Sequence, residues 1–188
     1  MLAQNLISHI RGRLASHRAG RQSGDRRVEA AVLVPIFEQQ GELHFLLTQR
    51  TETVATHKGQ ISFPGGVRER GDGTLRETAL RETEEEVGIS PLDVDVLGAF
   101  DEYLSVTNLF VTPFVGYLRE GFRVAPSSRE VQRVLEVPCR FFSDAIPGQE
   151  VRLRRGEEET VYSYRYRGDM IWGLTAVIIK DLVDFLKL

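Results

Sequence analysis

The chain has 188 residues, 41% of them apolar and 27% charged, with a formal net charge of −3 and one cysteine. That balance fits one soluble domain with a proper core. It excludes an intrachain disulfide and a molecule that binds nucleic acid through overall positive charge.

In chain order, Leu2, Leu6, Ile7, Ile10 and Leu14 fall at helical spacing, so residues 2–17 are expected as an amphipathic helix, broken by "AGRQSGD". This stretch lacks the continuous apolar core of a signal peptide, and no run approaches the roughly 18 residues of a membrane span. A cytoplasmic location without a membrane partner is the expectation. "VEAAVLVPIF" (28–37) and "LHFLLTQR" (43–50) read as strands joined by a hairpin at "EQQGE". "TETVATHKGQ" is a polar loop, and "ISF" (61–63) a short strand before Pro64. A helix is expected over 74–87, with Thr74 and Glu77 as a capping box and Gly88 as its stop. "DVDVLGAF" (93–100) and "LFVTPFVGYL" (109–118) read as strands around "DEYLSVTN". "EVQRVLEVP" (130–138) is expected as a strand leading to a short helix near "CRFFSDA", which makes Cys139 a buried small hydrophobe rather than a reactive thiol. "VRLRR" and "TVYSYRY" form a hairpin, and the tail from Ile171 a long helix that Trp172 either anchors in the core or opens as a platform for adenine. Strands pair mainly through hairpins, so the class is α+β in a single domain, with 1–27 a helix and connection and 28–188 the core.

The acidic run is the informative feature. On a helix over 74–87, Glu82, Glu85 and Glu86 stand three and four apart and share one side. Like charges there repel. A solvated face tolerates this, and a hard cation such as Mg²⁺ or Mn²⁺ removes it, because such ions take oxygen ligands at about 2.1 Å. Arg81 can hold one glutamate's rotamer, and Gly65-Gly66 lets backbone approach the same spot. His9, His17 and His44 lack metal-site spacing, and no Ser-His-Asp or Cys-His arrangement is visible.

"RETEEEVGI" (Arg81 to Ile89) resembles the C-terminal half of the Nudix box, Arg-Glu-x-x-Glu-Glu-x-Gly followed by an apolar residue, and Gly66 matches its opening glycine. The general box has Glu six residues after that glycine, with seven residues between that Glu and the arginine. Here the sixth position is Asp72, and eight residues separate it from Arg81. The coenzyme A-cleaving subgroup has a similar longer spacing. "LLTQRTETVATHKGQISFPGG" (46–66) resembles that subgroup's signature at Leu46, Leu47, Thr48, Arg50, Gly59, Phe63, Pro64, Gly65 and Gly66. Ala55 stands where the signature has an arginine, and Thr51-Glu52 replaces a small pair. "DMIWGLTAVIIKDL" in the tail is also similar.

The resemblance implies a Nudix-type mixed β-sheet sandwiched between helices. It implies Mg²⁺- or Mn²⁺-dependent hydrolysis of the diphosphate bond of coenzyme A or its derivatives to adenosine 3′,5′-bisphosphate and 4′-phosphopantetheine. Glu82 and Glu86 are then the first metal ligands, and Glu85 a further ligand or a base. Glu130 is the leading base from outside the box, ahead of Asp101 and Glu102, while Arg81 supports the carboxylates. Arg50, His57 and Lys58 contact substrate phosphates, with Gly65 and Gly66 alongside. The alternatives are another nucleoside diphosphate derivative such as ADP-ribose or NADH, a dinucleoside polyphosphate or oxidised nucleotide, or a non-catalytic Nudix-like ligand sensor. A homodimer is compatible with all of these.

Overall fold

The structure is a computed structural model that describes residues 2–21, 28–52, 59–154 and 157–187. Helix α1 (Leu2–Ser16) buries Ile7, Ile10 and Leu14 on the side that the spacing selects. Strands β1 (Val28–Gln39) and β2 (Glu42–Arg50) form the expected hairpin, turning at Gln40 and Gly41. Both turn residues have positive φ, the pattern whose twist suits a two-residue hairpin. Then come β3 (Ile61–Ser62), β4 (Gly65–Val67) and α2 (Leu75–Val87). The capping box of Thr74 and Glu77 closes in both directions, and Gly88 ends the helix in the left-handed region at φ 69°.

After a short 3₁₀ turn, β5 (Val94–Ala99), β6 (Tyr103–Leu104) and β7 (Leu109–Leu118) continue the sheet. β8 (Val131–Pro138) runs into α3 (Cys139–Asp144). A separate sheet of β9 (Gly148–Arg154), β10 (Glu157–Tyr166) and β11 (Asp169–Trp172) precedes α4 (Leu174–Leu186).

The main sheet is mixed, in the order β3-β2-β1-β7-β5, with β8 on β2, β4 on β1 and β6 on β7. Its centre is a parallel pair, β1 on β7, running from Val28 opposite Leu109 to Ile36 opposite Tyr117. Hairpin patterning alone does not reveal that pairing. The alternation of β1 loads both faces of the sheet. Ala31, Leu33 and Phe37 meet Ala79 and Val87 of α2, while Val34 and Ile36 join the larger cluster with α1, α3 and α4. Truncating a fully buried member such as Ile10 or Leu182 to alanine costs about 2–5 kcal/mol. Cys139 is buried in the larger cluster, and burial pushes its thiol up. Among the described residues, no helix is long and apolar enough to cross a membrane.

Two features position the site. β2 pairs with β1 only over Ile36–Gln39, and β4 takes over that edge at Ala30–Val32, so the hairpin splays and β3–β4 fills the wedge. The tail also departs from expectation. Residues 169–172 form a strand with Trp172 opposite Ser163, and α4 starts only at Leu174. Gly173 separates them at φ 66°, ψ −140°, a backbone that no helix continues through.

Candidate active site

Helix α2 carries acidic groups in two environments. On one side, Arg81 closes on Asp72 in the turn before the helix. Its Nε and Nη2 each donate to that carboxylate at 3.0 Å. The Glu69 N–H and the Thr78 hydroxyl donate to it as well. The Arg81 hydrogen bonds, followed by the one from Glu69, hold the Asp72 carboxyl well below the usual range, and the same pairing raises Arg81. Nη1 of Arg81 also donates to Glu82 at 2.9 Å and Glu85 at 3.0 Å. One guanidinium thereby ties the turn to the helix. The longer spacing noted in the sequence still closes as a bidentate pair.

On the other side lies a cleft of about 410 Å³ over the wedge between β1 and β2. Arg50, Gly65, Gly66, Glu82, Glu86 and Glu130 all line it. Glu86 is 3% exposed, and its carboxyl is pushed up to about 7. Burial is the chief cause, and Glu82 and Glu130 add to it, while Arg50 and a backbone hydrogen bond from Gly65 oppose it. Burial likewise raises Glu82, with Arg81 opposing. A Cβ on Gly66 would collide with the Glu82 carboxylate, and one on Gly65 with the backbone of β1. Gly65 is thus required by close backbone approach, while a side chain at Gly66 would displace the Glu82 carboxylate.

Among the described residues, Arg50 is the cation paired with Glu86, and its contact is loose. Its Nη1 stands 3.4 Å from Glu86 Oε1, and its Nε is buried without a hydrogen-bond partner. This buried carboxylate has one cation contact among the described residues, at 3.4 Å, and stands beside a second carboxylate, which suits a hard divalent cation. Among the described residues, no three His, Cys, Asp or Glu side chains converge as a ready-made cage. Hard ions of this kind commonly complete their shell with water and substrate phosphate.

The structure brings most of the expected site residues together. Glu85 is turned from the cleft, its side chain 60% exposed and paired with Arg81. The helical screw explains this: at about 100° per residue, Glu85 lies toward Arg81 and about 100° from Glu86. His57, Lys58 and Ala55 lie outside the described residues. Asp101 accepts from the Gly20 N–H at 2.6 Å and pairs with His17 at 3.0 Å. The neighbouring Glu102 is buried, its N–H bonded to the Gly20 carbonyl. Both contact Gly20 after α1, and neither lines the cleft. Trp172, expected chiefly as a core anchor, is 37% exposed and lines the cleft together with Leu174.

Glu130 reaches the cleft through contacts that periodicity cannot display. The Ser127 N–H donates to the Glu86 carbonyl, and that of Ala125 to the Val87 carbonyl, pinning this loop to the end of α2. The Thr51 N–H donates to the Glu130 carbonyl at 2.9 Å, so β2 fixes it from the other side.

A turn-capped acidic helix against a diglycine strand on a mixed sheet defines a class. The NUDIX domain family matches residues 27–151, and the chain belongs to that family of hydrolases. The Nudix hydrolase NudL of Photorhabdus laumondii, itself uncharacterized, is 40% identical over 85% of this chain and 86% of its own. The mitochondrial Nudix hydrolase 15 of Arabidopsis thaliana is 40% identical over 80% of this chain, which spans only 55% of that protein. Among solved structures, an Ap4A hydrolase of C. elegans in a binary complex overlays with a TM-score of 0.51 at 23% identity, covering 60% of this chain and 81% of its own, and attests the fold alone. Hydrolases of this family generally use divalent metals such as Mg²⁺ or Mn²⁺.

Proposed function

We propose that this chain, folded as one domain, hydrolyses the diphosphate bond of coenzyme A or a derivative to adenosine 3′,5′-bisphosphate and 4′-phosphopantetheine. The observation that carries the reading is a convergence. Arg50, Gly65 and Gly66 of the coenzyme A-type signature line the same cleft as Glu82 and Glu86 of the Nudix box. Glu82 and Glu86 would hold Mg²⁺ or Mn²⁺. Glu85 would act as a further ligand or base only on leaving Arg81. Such a cation neutralises diphosphate oxygens and lowers the pKa of a bound water.

The chain's own residues do the rest. Glu130, whose backbone is held by the Thr51 and Ser127 contacts, would accept a proton from the attacking water. Arg50 stands beside Glu86 and is assigned to the diphosphate, where a guanidinium can contact two oxygens. His57 and Lys58 belong to the same upstream stretch and are assigned to substrate phosphates. Arg81 does not touch substrate in this reading. It positions Glu82 and Glu85.

A second reading keeps the reaction and changes the substrate to ADP-ribose, NADH or a dinucleoside polyphosphate. It is favoured by Ala55, which stands where the coenzyme A signature has an arginine. A panel of coenzyme A, dephospho-coenzyme A, ADP-ribose and NADH, with and without Mg²⁺, decides. The expected result is metal-dependent cleavage, with the highest kcat/KM on coenzyme A. Equal efficiency on ADP-ribose would move the assignment to the second reading, and undiminished turnover after exhaustive chelation would overturn both.

A further inference from the structure

The cleft wall is chemically mixed: beside the carboxylates it carries Val106, Leu109, Trp172 and Leu174. Trp172 is the chain's only tryptophan, and it is held on a paired strand rather than a loop. Arg152 reaches over it from β9, with the guanidinium carbon 5.9 Å from the indole centroid. Its guanidinium donates to Glu150 of its own strand at 2.8 Å. Both of those groups are more than half exposed, so the ion pair holds Arg152 only weakly.

We infer that Trp172 and Arg152 form a subsite for a purine nucleotide that carries a phosphate on its ribose. The base stacks on the indole, and Arg152 takes the ribose phosphate. This rests on the coenzyme A reading and names the half of the substrate that meets Trp172. A nucleobase has a π face to lay on the ring, and stacking on an aromatic side chain is a strong, rigidly placed contact. The pantetheine arm has none and gains only apolar contact. An arginine beside the platform also suits a phosphate better than a neutral arm, because its planar fork meets two phosphate oxygens. Arg50, beside Glu86, is left to the diphosphate. The two arginines therefore divide the substrate's phosphates between them.

Trp172 supplies its own readout, since all tryptophan emission comes from the subsite. The protein is titrated in Mg²⁺ with adenosine 3′,5′-bisphosphate, with adenosine 5′-monophosphate and with 4′-phosphopantetheine, exciting where adenine does not absorb. The expected result is saturable quenching by both nucleotides, several-fold tighter for the bisphosphate, and none by phosphopantetheine. Arg152→Gln, an exposed position, removes the difference between the two nucleotides and narrows the preference for coenzyme A over dephospho-coenzyme A. Trp172→Leu raises KM for coenzyme A about tenfold with a much smaller change in kcat, and Trp172→Tyr, which restores a platform, recovers most of it. Quenching by phosphopantetheine alone would overturn the subsite. So would an unchanged KM in folded Trp172→Leu that still cleaves coenzyme A, and that outcome would leave the coenzyme A reading standing. Quenching by the bisphosphate in a protein that cleaves no coenzyme A supports the subsite and overturns the substrate.

Discussion

Asp72 and Glu86 are both buried carboxylates beside helix α2, and their surroundings drive them in opposite directions. Asp72 receives two hydrogen bonds from Arg81, one from a backbone N–H and one from a hydroxyl, and is held strongly acidic. Glu86 has Arg50 at 3.4 Å and a Gly65 backbone contact, faces Glu82 and Glu130, and is raised to about 7. Burial alone does not decide the charge state. What decides it is whether the buried oxygens are met by donors. The first carboxylate is built into the fold. The second, among the described residues, meets only the loose Arg50 contact inside the cleft wall, as suits a cation site.

The largest effect that tests this contrast is on turnover. Glu86→Gln keeps the shape and removes the charge. It is expected to lose roughly 10²-fold or more in kcat, the scale of deleting a key electrostatic contributor. Its stability should move the other way. Without metal, an ionised Glu86 is a cost, so above pH 7 the variant is expected to melt no lower than the parent. A loss of stability with full activity would make Glu86 a structural residue and erase the contrast.

Asp72→Asn should show the reverse pattern. It breaks a bidentate pair, partly screened by solvent at Arg81, and is expected to cost roughly 2 kcal/mol in denaturant unfolding. The pH dependence has a definite sign. Asp72 is depressed on folding, so its contribution is present above its ordinary value near 3.8 and is lost as pH falls below it. The gap between parent and variant should therefore close in acid. Glu86 is raised on folding, so the metal-free protein binds an extra proton between about 4.5 and 7 and loses stability as pH rises through that window. Glu86→Gln should flatten that decline and leave the acid limb in place, whereas Asp72→Asn should do the opposite.

Much of this was legible before any coordinates, and the division has a physical basis. The capping box, the Gly88 stop and the Glu82/Glu86 side of α2 depend on neighbours within a few residues, which sequence displays directly. The diglycine was legible as a close approach, but only the fold shows that the group approached is the Glu82 carboxylate. The parallel pairing of β1 with β7 joins segments far apart in sequence and leaves no local trace. Glu130 reaches the cleft through backbone bonds to Thr51 and Ser127, which any residue type could make. The place of Trp172 is not legible, because the apolar tail reads as one helix. One positive φ at Gly173 divides it and turns the indole from an expected core anchor into part of the cleft wall.

The smallest expected effect is on metal-linked stability, and it separates the two sides of α2 most cleanly. If Glu82 and Glu86 hold a divalent ion in the folded chain alone, Mg²⁺ should stabilise by mass action, by about 1.4 kcal/mol at ten times its Kd. NaCl at matched ionic strength only screens exposed charge, and Glu86 is not exposed. A melting series should therefore show a saturable shift with Mg²⁺ and little with NaCl. The shift should be lost in Glu86→Gln, where a ligand charge is missing. It should persist, from a lower starting temperature, in Asp72→Asn, because Asp72 is already satisfied by Arg81 and has nothing to gain from the ion. Equal responses to the two salts, or a Mg²⁺ shift abolished by Asp72→Asn and kept by Glu86→Gln, would place the cation on the wrong side of the helix and overturn the assignment of Glu86 as a ligand.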